Sequence, residues 1–404
     1  MGLGESPICF SQDDKLRLNE LAEAVVRLTD TGTTEHVGHT LGIYGSWGCG
    51  KTSLLNLVRE RCNQNTTWIA FDAWAQQTPT GILVPLVREV ARAKPRLPTA
   101  INSFRRLAKV IALSSMDIAL RSATGGMKVD DVTKHLITVD ADSPGIPDDP
   151  VNLLRREFKQ LVQSIKTHKK PRVLVAIDNL DRCRPETALT TLEALSTFLY
   201  EQGCSYLIAV DDTVLASFIT RCYSGTHLDG WRFLEKVIPD YIRIPTPRAN
   251  QHFAADDDPS DEVLTFLRSL SAEANWLTVH EAEMWELMSG VTILRNPRRL
   301  KRIVRQLALV KDELENAKVF RCAMALVTMS DVWPDLFQQF ISSSATQWKV
   351  IVAELLPAKT PSANMRAQGP RIHELQEFVR IFKSVISSHK ELWMVLDRLR
   401  GLGL

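Results

Sequence analysis

Residues 45–52 read Gly45-Ser46-Trp47-Gly48-Cys49-Gly50-Lys51-Thr52, a complete G-x-x-x-x-G-K-S/T spacing. Glycine at those positions lets the backbone curl until successive N–H groups point into one anion-sized nest, which bulkier residues would block. Lys51 can then reach the β- and γ-phosphates of a nucleotide and the Thr52 hydroxyl can ligate magnesium, with Ser53 completing the stretch expected to hold the ligand. Trp47 is too large for the nest and is expected to cover it or pack beneath it. These residues point to nucleotide binding; hydrolysis needs further groups.

A second set ends an apolar run, Val173-Leu174-Val175-Ala176-Ile177, with Asp178-Asn179-Leu180-Asp181-Arg182. An acid at the carboxyl end of a buried strand sits on the rim of a sheet, where Asp178 would hold magnesium beside Thr52; otherwise it is a turn residue or helix cap. In many hydrolytic sites the next position carries the acid that orients or deprotonates water. Here it is Asn179, which can orient water by hydrogen bonding but cannot act as a base at neutral pH. Restoring an acid there, Asn179→Asp, is therefore expected to raise turnover. Asp181 is the nearest remaining carboxylate, and either takes the base role or pairs with Arg182 or Arg184. Asp211, followed by Asp212, reads either as an acid that polarises the attacking water or as the cap of a helix over 214–219.

The elements that must position these groups alternate up to about residue 245. Strands are expected at 39–44, 67–71, 172–177, 205–210 and 240–244, three of them near-continuous apolar runs of the kind buried on both faces of a parallel sheet. The segment after the phosphate loop, Ser53-Leu54-Leu55-Asn56-Leu57-Val58-Arg59-Glu60, reads as an amphipathic helix that aims its positive dipole end at the phosphates. Asp72 and Trp74 close the second strand, and Trp74 is expected in the core or facing a partner. Beyond Pro245-Thr246-Pro247 only helical periodicity remains. The expected organisation is a nucleotide-binding domain over 1–247 with a helical insertion at about 80–150, a helical lid over 248–355, and a helical extension over 356–404.

Composition narrows the class. Lys and Arg number 49 against 47 Asp and Glu, a net charge of +2, so no global basic field advertises nucleic acid or membrane. The 7 cysteines form no C-x-x-C pair, which argues for reduced thiols, no zinc site and a cytoplasmic setting. The longest uncharged run in Phe104–Arg121 covers 110–116, far short of the roughly 20 residues a transmembrane span needs. That stretch reads as an amphipathic helix, packed on its own domain or presented to a partner.

The motifs together resemble those of the KAP-family P-loop NTPases over most of residues 8–310. The resemblance rests on Leu41–Leu55 around the phosphate loop, Ile69-Ala70-Phe71-Asp72-Ala73-Trp74, Ile177–Cys183, Leu207–Asp212, Phe233–Ile238 and Asn296-Pro297-Arg298-Arg299-Leu300-Lys301-Arg302. It implies an α/β fold, a P-loop NTPase with a five-stranded parallel sheet of the additional-strand branch, followed by an all-α lid and a C-terminal helical region. Two departures stand out: the family usually has Asp-Asp where this chain has Asp178-Asn179, and many members carry a transmembrane insertion that this chain lacks, as a soluble bacterial member would.

The resemblance further implies a magnesium-dependent ATPase, with Mg2+ as cofactor and ATP as substrate, acting as a switch or remodelling enzyme within a bacterial defence or regulatory complex. Alternatives are a nucleotide-gated scaffold with little hydrolysis and a nucleic-acid-associated ATPase. Protein partners and a homo-oligomer are expected. In such proteins a basic residue of the lid reads the γ-phosphate, in cis or across a subunit boundary, and Arg298 or Arg299 is placed for that role. The competing readings are a solvated basic helix face over Arg298–Arg305 and a nucleic-acid-contacting patch.

Overall fold

The computed structural model describes residues 6–31, 39–62, 65–94, 97–124, 150–201, 203–224, 229–250, 261–311, 314, 316–355 and 372–401. The chain divides into two compact units, Pro7–Ile244 and a second that includes Pro245–Leu404.

In the first unit β1 (His39–Tyr44), β2 (Thr66–Asp72), β3 (Arg172–Asp178), β4 (Cys204–Val210) and β5 (Asp240–Arg243) build one sheet, ordered β2-β3-β4-β1-β5. All four pairings are parallel. Each expected strand is present to within one residue of its bounds. The strand inserted between β1 and β3 is β4, the arrangement that defines the additional-strand branch.

Side chains alternate across the sheet with period two and feed two separate cores. Leu41, Ile43, Leu174, Ala176, Leu207 and Ala209 point to one face, where α1 (Leu18–Thr31) and α2 (Lys51–Arg61) cover them with Leu18, Ala22, Val25, Leu54, Leu57 and Val58. Val173, Val175, Ile177, Tyr206, Ile208 and Val210 point to the other. There they meet α3 (Leu83–Arg92), α4 (Pro98–Thr124), α5 (Pro150–Ile165), α6 (Pro185–Thr197), α7 (Asp212–Cys222) and α8 (Gly230–Val237). Burial on both faces explains why these strands read as unbroken apolar runs. The amphipathic stretch 104–121 lies in α4, and Ala100, Leu107 and Ile111 of that helix are buried in its own unit's core. Residues 125–149 of the expected helical insertion lie outside the described residues.

The described part of the second unit is helical: α9 (Glu262–Glu273), α10 (Glu281–Gly290), α11 (Pro297–Ala308), α12 (Ala317–Val332), α13 (Pro334–Ser342), α14 (Ala345–Leu355), α15 (Ile372–Ile381), α16 (Lys383–Ile386) and α17 (His389–Gly401). Its core is rich in aromatics, with Trp333, Phe340, Trp348, Phe378 and Phe382 fully buried. The last three helices pack on the earlier ones: Trp348 Nε1 donates to the Ile386 carbonyl at 2.7 Å and Ile293 N–H to Glu374 Oε1 at 3.0 Å. A single buried carboxylate organises the unit's start. Asp261 caps α9 through Leu264 N–H at 2.8 Å and accepts the Trp285 indole N–H at 2.9 Å.

Candidate nucleotide site

The phosphate loop joins β1 to α2. It leaves the sheet at Gly45, whose N–H donates to the Val210 carbonyl of β4 at 3.2 Å. Gly48 and Gly50 adopt φ of 87° and 110°, left-handed values that a side chain would oppose, so the curl depends on glycine at these two places. α2 then starts at Lys51 with Gly50 as its N-cap, which brings the first-turn N–H groups and the positive end of the helix dipole to the loop.

Inside the loop the Lys51 ammonium, largely buried, donates to the Gly45 carbonyl at 2.8 Å and to the Ser46 carbonyl at 3.2 Å. The cation is thus poised on backbone oxygens, a set of contacts that a phosphate can replace with stronger charge-assisted bonds. Burial pushes the Cys49 thiol up, against the pull of Lys51, so this cysteine stays protonated at neutral pH. Ser53 accepts the Ile8 N–H at 3.2 Å and ties the N-terminal segment to α2.

Across the sheet rim, Thr52 Oγ1 donates to Asp178 Oδ2 at 2.6 Å. Asp178 Oδ1 accepts the Asn179 N–H at 2.9 Å. Burial pushes the Asp178 carboxyl up; the Thr52 hydroxyl, the Asn179 N–H and Lys51 pull it down, while Asp72 adds to the upward push. Among the described residues no three His, Cys, Asp or Glu converge as a metal cluster. Magnesium at a phosphate loop does not need one, since it takes one or two protein oxygens and fills the rest of its octahedron with phosphate and water. Thr52 and Asp178 are hard oxygen donors already in contact, and they fit that requirement.

The other sequence-selected residues sit around this pair with distinct partners. Asn179 has left-handed backbone, φ 61° and ψ 27°, and its Nδ2 donates to Asp72 Oδ2 at 3.0 Å. Asp181 Oδ2 accepts the Asp211 N–H at 2.9 Å, which ties the short turn Leu180–Arg182 to the end of β4. Asp211 itself caps α7, accepting from Thr213 and Val214 N–H. Its neighbour Asp212 is buried and forms an ion pair with Arg243 of β5.

Neither tryptophan of the site is in the core. Trp47 is 61% and Trp74 56% exposed, and the Arg182 guanidinium lies 5.4 Å from one ring centroid and 5.6 Å from the other. This bracket, which links the loop to the turn after β3, has no motif signature. Asp72 is a further acid at this rim: two parallel strands in register each end in aspartate, and Asp72 pairs with Asp178.

Arg298 and Arg299 belong to the helical unit. Asn296 caps α11 through the Arg299 N–H, with Pro297 in the first turn. Arg299 Nη1 reaches Asp331 Oδ2 at 2.8 Å, and Arg302 also pairs with Asp331.

The KAP family P-loop domain matches the chain over residues 18–314, more than half its length. The chain belongs to the KAP family. The match spans the phosphate loop, the Asp178 strand and the Asn296-Pro297-Arg298-Arg299 segment. No helix among the described residues of this KAP protein is long and apolar enough to cross a membrane. No curated protein matches it. Solved structures that resemble it include a Walker-type ATPase of Pyrococcus abyssi, at 13% identity and TM-score 0.42, covering 94% of this chain and 93% of that one. Cdc6p from Pyrobaculum aerophilum is similar at 12% identity and TM-score 0.41, over 98% and 88%. A chain of Drosophila ORC bound to DNA follows at 13% identity and TM-score 0.32, over 96% and 89%.

Proposed function

We propose that this KAP protein is a magnesium-dependent ATPase whose turnover drives a conformational switch or remodelling step in a bacterial defence or regulatory complex. One observation carries the reading: Thr52 and Asp178, donors of the kind magnesium takes, meet at 2.6 Å beside a loop whose lysine and helix N-terminus are prepared for phosphate. When bound, the magnesium would neutralise charge on the β- and γ-phosphates. Lys51 and the loop N–H groups would orient the γ-phosphoryl for in-line attack, and Asp178 and Thr52 would hold its counter-ion.

Turnover of ATP by the purified protein, alone and with the proteins that co-purify with it, tests the proposal. Hydrolysis abolished by Lys51→Ala is the expected result. Tight binding with no turnover in either condition would instead favour the nucleotide-gated scaffold, a reading supported by Asn179 standing where an acid is usual. The nucleic-acid reading rests on the basic Arg298–Arg305 stretch, and it is weakened because Arg299 and Arg302 are both engaged by Asp331. Salt-independent or absent DNA binding would retire it.

A further inference from the structure

Asn179 holds two carboxylates at once. Its backbone N–H donates to Asp178 Oδ1 at 2.9 Å, and its side-chain amide donates to Asp72 Oδ2 at 3.0 Å. Facing a carboxylate, only the NH2 end of the amide can make that bond, which fixes its orientation. The left-handed backbone at Asn179 is one of two positive-φ positions outside glycine among the described residues. Such strain collects at functional sites, and asparagine tolerates it better than most residues. Asp72 is held from its other side too, Oδ1 accepting the Ala75 N–H at 2.9 Å. Each oxygen of a carboxylate has room for two hydrogen bonds, so Asp72 keeps capacity to accept from water.

We infer that Asp72, at the end of β2, is the carboxylate that receives the attacking water, and that Asn179 is the positioning residue that aims it. The inference rests on the ATPase reading above. Water oxygen forms a bond to the γ-phosphorus as the bond from that phosphorus to the β,γ-bridging oxygen breaks. The bridging electron pair leaves with ADP, and the water proton passes to Asp72, which returns it to solvent. Residue 179, as an amide, cannot accept that proton. Of the other carboxylates nearby, Asp178 is bonded to Thr52, and Asp181 gives one oxygen to the Asp211 N–H and has the other sealed from solvent. Asp211 caps α7 through Oδ1, whereas Asp72 stands in register with Asp178 at the end of the neighbouring strand.

This pairing reverses the expectation for Asn179→Asp. A carboxylate there would stand within hydrogen-bond distance of Asp72, like charge against like charge, with the donor lost. The discriminating experiment compares wild type, Asp72→Asn, Asn179→Asp and the double exchange Asp72→Asn/Asn179→Asp. Each is measured for kcat, for affinity toward a fluorescent ATP analogue with magnesium, and for the melting midpoint without nucleotide. Asp72→Asn keeps an amide pair in place, and is expected to lower kcat by about 10²-fold or more, the lower range for loss of a general base, with affinity within about twofold. Asn179→Asp should lower both kcat and the melting midpoint. The double exchange restores one carboxylate and one amide in contact, so the melting midpoint should recover most of the way to wild type, while kcat stays low because position 72 still lacks its carboxylate.

Full kcat in Asp72→Asn or in the double exchange would overturn the assignment to Asp72, and a melting midpoint no higher in the double exchange than in Asn179→Asp would overturn the oriented pair. Wild type that binds ATP without hydrolysing it would instead overturn the ATPase reading itself. In that case the melting midpoints still report whether the Asp72–Asn179 pair is an oriented contact.

Discussion

The Thr52 hydroxyl meets the Asp178 carboxylate at 2.6 Å across 126 residues of sequence. The two belong to elements that are not neighbours in the sheet: β4 separates β1 from β3, and two strand spacings amount to about 10 Å. The loop after β1 has to cross that gap, which its positive-φ glycines allow. If this contact is the magnesium seat, Thr52→Ala and Asp178→Asn should each bind nucleotide about equally with and without magnesium, whereas wild type binds more tightly with it. Titration of a fluorescent ATP analogue, in magnesium and in EDTA, reads the difference. Nucleotide-free Asp178→Asn should melt no lower than wild type, since burial penalises the charge it removes. Full magnesium enhancement in either variant would place the ion elsewhere.

Lys51→Met keeps the buried stem and deletes the ammonium. Hydrogen bonds from a charged donor are worth about 1.5–3 kcal/mol, so nucleotide affinity should fall about 10- to 150-fold. The melting midpoint without nucleotide should move little, because the ammonium holds only two loop carbonyls in that state. Calorimetric titration and thermal unfolding on the same preparations separate a lost site from a lost fold.

How much of this was legible follows from where information is stored along the chain. The loop, the Asp178 strand and the other strands could be read locally, because a short apolar run flanked by turn residues is a short-range pattern. Trp47 and Trp74 were harder. Trp74 is exposed and so not in the core, and its stacking on Arg182 is a long-range contact that no local spacing encodes. The same holds for Asp72, whose meaning depends on strand register with Asp178. A basic face on α11 was visible, whereas the acid that engages it, Asp331, lies on another helix.

The helical unit carries a pH-sensitive core position. His280 is buried, stacks on Phe320 at 3.8 Å, and has Nε2 3.0 Å from the Leu314 carbonyl, while Nδ1 finds no partner among the described residues. Burial lowers its pKa from 6.5, opposed by Glu283 and that carbonyl. The folded state therefore favours neutral imidazole. Above pH 6.5 both states are neutral and the full stability is present. As pH falls below 6.5 the unfolded chain takes up the proton first, and stability drops by up to about 1.4 kcal/mol per pH unit until the folded pKa is reached. Denaturant midpoints between pH 5 and 8 should slope less in His280→Gln than in wild type, and equal slopes would assign the titration to other groups.

Counter-charge on the γ-phosphate is the remaining requirement, because an arginine supplied to a phosphoryl-transfer site is worth about 10³ to 10⁵ in rate. Arg299 is held at 2.8 Å by Asp331, a carboxylate only 5% exposed, so Arg299→Ala should cost stability by about 1 kcal/mol as well as any activity. Arg298, one position earlier on α11, is the other candidate to act on a nucleotide, either its own or that of a second subunit. Action in trans predicts that specific activity climbs with protein concentration. It also predicts that Lys51→Ala and Arg298→Ala subunits, each inactive alone, regain part of the activity when mixed, since one keeps the arginine and the other keeps the loop. Activity independent of concentration, with no recovery on mixing, would leave Arg298 acting in cis or not at all, and the turnover of Arg298→Ala alone distinguishes those two.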